Sequence, residues 1–143
     1  METGCEPPRV VAGMPMYNEE ETIGTVVTMA LRHVDEVICI DDGSSDSSAR
    51  IAEACGATVI RHRGNQGYGA ALKTLFKATR DSDAYILVVL DSDGQHDTAD
   101  IPKLIQPILD EEADFTIGSR FVEGGEGNDL SLIHISEPTR RLS

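Results

Sequence analysis

The chain lacks any stretch rich in lysine and arginine: 25 acidic side chains stand against 12 basic ones, a formal net charge of −13 over 143 residues. That balance disfavours nonspecific binding to nucleic acid or to an anionic membrane, since a negative surface gains nothing from a polyanion. Any phosphate ligand must therefore be held by local devices. Long apolar runs are also missing. The longest, "AYILVVL", falls far short of the roughly 20 residues that span a bilayer. The N-terminal "METGCEPPRV" lacks the basic-then-apolar layout of a signal peptide. Cysteine is sparse and odd in number (Cys5, Cys39 and Cys55), with no CxxC spacing. Reduced thiols in a soluble, cytoplasmic protein are expected, with Cys39 as a small core residue.

With 40% apolar residues in 143, the chain has the size and composition of one ordinary domain with a real core. Runs rich in Val and Ile alternate with segments of helical period, which argues for βαβ units, an α/β fold and a mostly parallel sheet buried on both faces. Strands are expected at Arg9 to Met14, Glu36 to Ile40, Thr58 to His62, Tyr85 to Leu90 and Phe115 to Gly118. Four helices are expected between them. The first opens with Asn18 and Glu21 in capping-box spacing and carries Ile23, Val26, Val27, Ala30 and Leu31 on one face. The second runs from "GSSDSS" to Cys55 with Gly56 as its stop. The third follows "GNQGYG" and shows Ala71, Leu72, Leu75, Phe76 and Thr79 at helical spacing. The fourth covers Pro102 to Glu111, with Pro107 kinking or breaking it.

The segment from Leu130 onward, "LSLIHISEPTRRLS", has no glycine, no strand alternation and no link to the preceding rhythm. Residues 130 to 140 resemble, letter for letter, the in-frame translation of a transposon-end adapter used in sequencing libraries. Residues 1–129 are accordingly expected to be natural chain and 130–143 a non-native tail.

Polar clusters follow every expected strand: "PMYNEEE", "DDGSSD", "RGNQGYG", "DSDGQHD" and "GSRF". In an open α/β sheet, loops at the carboxyl ends of the strands converge on one crevice. "DSDGQH" offers the hard oxygen donors that Mg²⁺ or Mn²⁺ prefer, with Asp91 and Asp93 in alternate positions and Gln95 adding a neutral oxygen. A solvated helix-capping loop with Asp97 as the cap is the other account. "DDGSSD" suits a turn and N-cap equally well as a site in which Asp42 accepts the N–H of a nucleobase. "YNEE" reads most simply as a capping box with an acidic first turn. Gly64, Gly67 and Gly69 are spaced GxxGxG and follow the third strand, which argues against a dinucleotide-binding loop and for close backbone approach to a ligand. Lys73 is a phosphate contact or an exposed helix lysine. His96 is a loop hydrogen-bonder or a site residue, and His33 and His62 read as structural or exposed.

Taken together and in this order, the five motifs resemble family 2 glycosyltransferases of GT-A fold, a three-layer Rossmann-like nucleotide-sugar-binding domain. The resemblance is strongest to the dolichol-phosphate (polyprenyl-phosphate) mannosyl- and glucosyltransferases, and it spans Val10 to Asp129. It implies inverting, Mg²⁺- or Mn²⁺-assisted transfer of a sugar from a nucleoside diphosphate donor of GDP-mannose or UDP-glucose type to a lipid phosphate. By matching position, Pro15, Tyr17 and Glu19 would line the nucleotide, and Ile40 and Asp42 would hold the base end. Asp91, Ser92, Asp93 and Gln95 would form the metal and diphosphate group, and Arg120 would lie near the phosphates. Asp91, Asp93 and Arg120 would carry the catalytic work. Residues 1–129 would then be the N-terminal donor-binding part of a longer enzyme, cytoplasmic and peripheral to the membrane face, whose acceptor contacts lie beyond Asp129. A nucleotide- and metal-binding module without turnover is the alternative of another class. A haloacid-dehalogenase-type phosphohydrolase fits less well, because Gln95 stands where its DxDGT motif wants Thr.

Overall fold

The computed structural model describes residues 9–82, 84–90, 101–103, 105, 115–119 and 129–134. Its elements run β1 (Val10–Met16), α1 (Ile23–Ala30), β2 (Glu36–Asp41), α2 (Ser48–Ala54), β3 (Thr58–Arg61), α3 (Tyr68–Asp81), β4 (Ile86–Val89), β5 (Phe115–Ser119) and β6 (Asp129–His134). They build a six-stranded sheet in the order β3-β2-β1-β4-β6-β5. β1 pairs in parallel with β2 and with β4, and β2 with β3. β6 runs antiparallel to both its neighbours. The fold is α/β with a mostly parallel sheet, as the alternation of apolar runs and helical periods predicts.

Alternation along the strands sorts side chains into two cores, because successive residues point to opposite faces. Ala12, Met14, Val37, Cys39 and Val88 join Ile23, Val27 and Ala30 of α1 and Ala49 and Ala52 of α2. Val11, Ile38, Ile40, Leu87 and Val89 join Ala71 and Leu75 of α3. Helices α1 and α2 thus cover one face and α3 the other. At Gly13 a Cβ would come within 2.3 Å of Leu75 Cδ1, so the missing side chain is what lets α3 settle onto β1.

Helix ends follow the expected chemistry in one case and depart from it in another. Gly56, at φ 109°, closes α2 in a Schellman arrangement: its N–H donates to Glu53 O at 3.1 Å and the Ala57 N–H to Ala52 O at 3.0 Å. The Asn18–Glu21 capping box does not form. Helix α1 begins at Ile23 after Thr22, with no side-chain cap, because Asn18 is engaged elsewhere. Residues 101–103 and 105 are helical; the rest of the fourth expected helix, Pro107 included, lies outside the described residues.

The largest departure is β6. "DLSLIH" was expected to be without strand character, yet Leu132 pairs with Val88 on one side and with Thr116 on the other. The physical reason is the open edge of β4, whose unpaired N–H and C=O groups accept an apolar, extended partner whatever its origin. No described helix is long and apolar enough to cross a membrane.

Candidate functional site

Between β1 and β4 the winding direction reverses: α1 leads from β1 to β2 on one side, and α3 carries the chain back past β1 to β4 on the other. Such a switch point, beyond the carboxyl ends of the parallel strands, is where open α/β sheets bind ligands. Three of the polar motifs meet there within the described residues.

The first two are laced together by side-chain-to-backbone hydrogen bonds. Asn18, in the left-handed region at φ 53°, accepts the Ser45 N–H on Oδ1 at 2.9 Å, and its own N–H donates to Ser44 Oγ at 2.8 Å. The Glu19 N–H donates to Ser48 Oγ at 2.7 Å, and Glu20 Oε1 accepts the Ser47 N–H at 3.0 Å. Glu20 therefore does for Ser47, the N-cap of α2, from another loop, what the carboxylate at the third helical position of a capping box does for its own helix. Asp46 accepts both the N–H and the hydroxyl of Ser48, at 2.9 and 2.6 Å. Burial works against ionising Asp46, but these bonds from Ser48 and the one from the Glu20 amide hold its carboxyl below the usual range. Glu20, through its carboxylate to Ser47 N–H, and Asp46, through the Glu20 N–H, are acidic side chains that join these two loops.

Asp41 and Asp42 part ways at the end of β2. Asp41 Oδ1 accepts the Ser44 N–H at 2.9 Å and shapes its own turn. Asp42 turns to the third motif: Oδ1 accepts from Gln66 N–H at 2.9 Å and lies 2.8 Å from His62 Nδ1, while Oδ2 accepts from Gly67 N–H at 2.9 Å. His62 Nε2 is 2.8 Å from Thr74 Oγ1 on α3. Burial again opposes ionisation, yet the bonds from Gln66, His62 and Gly67 outweigh it and lower the Asp42 pKa. The backbones of these two loops also touch. A Cβ on Gly43, which sits at φ +88°, would lie 2.8 Å from Gly64 C and 2.9 Å from Asn65 N.

Of the residues expected to form the site, Pro15 and Ile40 face each other across β1 and β2 in register. Tyr17, just past β1, is 47% exposed. Glu19 anchors the loop through its backbone. Ile40 is fully buried among the core residues under α3. Lys73 is an exposed helix lysine. Cys39 is buried, and its thiol is pushed up to about 12 by burial and then by the nearby Asp41 charge, as befits an inert core residue. Asp91, Ser92, Asp93, Gln95, His96, Asp97 and Arg120 lie outside the described residues.

His62 is the site residue that the sequence hides. In the sequence it reads as structural or exposed; the structural reading holds, for its side chain is 9% exposed and bridges Asp42 to α3. The usable signal was an isolated histidine directly before a glycine loop, with an aspartate at the end of the neighbouring strand.

Comparison with known proteins bears on this geometry. The model of the family described as "Glycosyl transferase family 2" matches residues 12–142. The UDP-N-acetylglucosamine–dolichyl-phosphate N-acetylglucosaminyltransferase of Methanococcus voltae is 33% identical over 137 residues, covering 83% of this chain and 55% of that protein. The dolichol-phosphate mannosyltransferase of Pyrococcus furiosus is 33% identical over 121 residues, covering 79% and 33%. Among solved structures, glucosyl-3-phosphoglycerate synthase of Mycobacterium tuberculosis in complex with Mn²⁺, UDP and glucosyl-3-phosphoglycerate superposes with a TM-score of 0.60. It shares 29% identity and covers 71% of this chain and 40% of that one. The chain thus spans about half or less of each of these three proteins. With the family model covering nearly the whole chain and the GT-A neighbours sharing its sheet, the chain belongs to glycosyl transferase family 2.

Proposed function

We propose that this chain carries the donor-binding part of an inverting, metal-dependent glycosyltransferase that moves a sugar from a nucleoside diphosphate to a polyprenyl (dolichyl) phosphate. The observation that carries the proposal is the locking of the loops after β1, β2 and β3 into one rim at the switch point, through Asn18, Glu20 and Asp42. Similar proteins named as dolichyl-phosphate transferases, and a neighbour solved with UDP and Mn²⁺, support it.

In this proposal the exposed ring of Tyr17 and the carboxylate of Asp42 meet the nucleoside, with Pro15 and Glu19 beside them. Asp91 follows directly in sequence on Leu90, whose N–H is bonded to the Gly13 carbonyl of β1 at 2.9 Å. Its donor set suits a hard divalent cation: two carboxylates and an amide oxygen. Among the described residues no group of three or more His, Cys, Asp or Glu side chains is gathered to hold a metal, and the proposed ligands are Asp91, Asp93 and Gln95. A bound Mg²⁺ or Mn²⁺ supplies Lewis-acid stabilisation of the departing diphosphate. Arg120 adds fixed positive charge for the same oxygens. An acceptor phosphate is already anionic and needs no strong general base.

Thermal unfolding with UDP or GDP, each with and without Mn²⁺, tests the proposal. Stabilisation by a nucleotide only when the metal is present, and its loss in Asp93→Ala, is the expected result. Equal stabilisation with and without metal counts against metal-dependent donor binding. In the same proposal the natural chain is residues 1–129 of a longer, membrane-peripheral cytoplasmic enzyme, with 130–143 as adapter-derived tail. Sequencing the source DNA across codon 129 tests that part, and an encoded "LSLIHISEPTRRLS" followed by a stop codon refutes it. A binding module without turnover then becomes the better account.

A further inference from the structure

Against the described residues, Asp42 has one hydrogen-bonding position left for a ligand where a free carboxylate offers more. An ionised carboxylate has about four acceptor sites, two on each oxygen. On Oδ1 both are filled, by His62 Nδ1 at 2.8 Å and the Gln66 N–H at 2.9 Å; on Oδ2 one is filled, by the Gly67 N–H at 2.9 Å. Among the described residues nothing else donates to it, and 8% of its side chain remains exposed. His62 is braced from behind, since its Nε2 lies 2.8 Å from Thr74 Oγ1, which in turn lies 3.1 Å from the Ala70 carbonyl. The imidazole cannot swing off Asp42 without giving up its hold on α3.

We propose that His62 and the two loop amides make Asp42 a single-acceptor reader, so that the site selects a base presenting one isolated imide N–H, uracil, over guanine. This rests on the donor-site reading given above. The edge of uracil carries one donor, N3–H, between two carbonyl acceptors. Guanine presents N1–H and the 2-amino group side by side, a pair that calls for both oxygens of a carboxylate. Against Asp42 the second guanine donor would meet an oxygen already saturated and would lie desolvated and unpaired. His62 is thus a positioning residue that sets base specificity without touching the base itself.

Calorimetric titration of the 143-residue chain with UDP and with GDP, in Mn²⁺, tests the assignment. UDP is expected to bind at least about tenfold tighter, the scale on which one unmet hydrogen bond acts. In His62→Ala, which frees a position on Oδ1, the preference should shrink toward parity. In His62→Asn, whose side-chain N–H replaces Nδ1–H, it should persist. Equal binding of the two nucleotides by the wild type, or tighter binding of GDP, overturns the selection while leaving the donor site standing. A ratio unmoved by His62→Ala overturns the role of His62. Binding of neither nucleotide overturns the donor site, and this selection with it.

Discussion

Replacing Gly43 by alanine tests whether the loops after β2 and β3 are as closely apposed as described. Two costs add. At φ +88° an alanine occupies the left-handed region, which costs an L-residue about 1–2 kcal/mol. Its Cβ would also lie 2.8 to 3.0 Å from Gly64 C, Asn65 N and Gly64 Cα. These are backbone atoms that no rotamer change can move. Overpacking of that kind costs about 1–3 kcal/mol. The sum, roughly 2–5 kcal/mol, corresponds to a fall in Tm of roughly 5–15 °C for a domain of this size. Gly69→Ala is the control: it lies in α3, where a Cβ meets nothing within 4 Å, and should stabilise the helix by about 0.5–1 kcal/mol. Thermal and urea unfolding of the two variants give the comparison. If Gly43→Ala unfolds within about 1 kcal/mol of the wild type, neither the strain nor the close approach is real, and the shared rim is wrong.

Because hydrogen bonding lowers the folded-state pKa of Asp42 below the ordinary 3.8, its contribution to stability is complete above that value. It is lost as pH falls through the lowered one. Urea midpoints measured from pH 6 to pH 2 should therefore fall less steeply in Asp42→Asn, and a slope identical to wild type would refute the assignment. The same variant should lose about 1–3 kcal/mol at neutral pH, since the amide's NH₂ confronts at least one of the donors from His62, Gln66 and Gly67. Leu75→Ala should cost about 2–5 kcal/mol in chemical denaturation, because the side chain is fully buried against Gly13. At pH 8 a thiol reagent should leave Cys39 unlabelled in the folded chain and modify it only on unfolding. Mass spectrometry of the labelled peptides distinguishes the two.

The parallel part of the fold was legible because it is written locally. The apolar runs "VVAGM" and "EVICI" and the helical spacing of Ala71, Leu75 and Thr79 each lie within a few residues, and the ends of β1 to β5 differ from expectation by at most two positions. Gly56 was legible for the same reason, since its role concerns only its own helix end. Asn18 was misread because its best partners, Ser44 and Ser45, are distant in sequence, and they outcompete a local capping box. For His62 the sequence left structural and exposed roles open, because its burial depends on Asp42 and Thr74 arriving from two other elements. β6 escaped because strand pairing rewards an available edge as well as the sequence that fills it.

The placing of β6 also says what a longer parent enzyme must supply. β5 reaches β4 only through β6, and five of the six residues of β6 fall in the segment proposed to be adapter-derived. In that proposal the natural neighbour of β4 comes from sequence beyond Asp129. A chain cut at residue 129 would leave β4 as a bare border of N–H and C=O groups, an edge that invites pairing with a second chain.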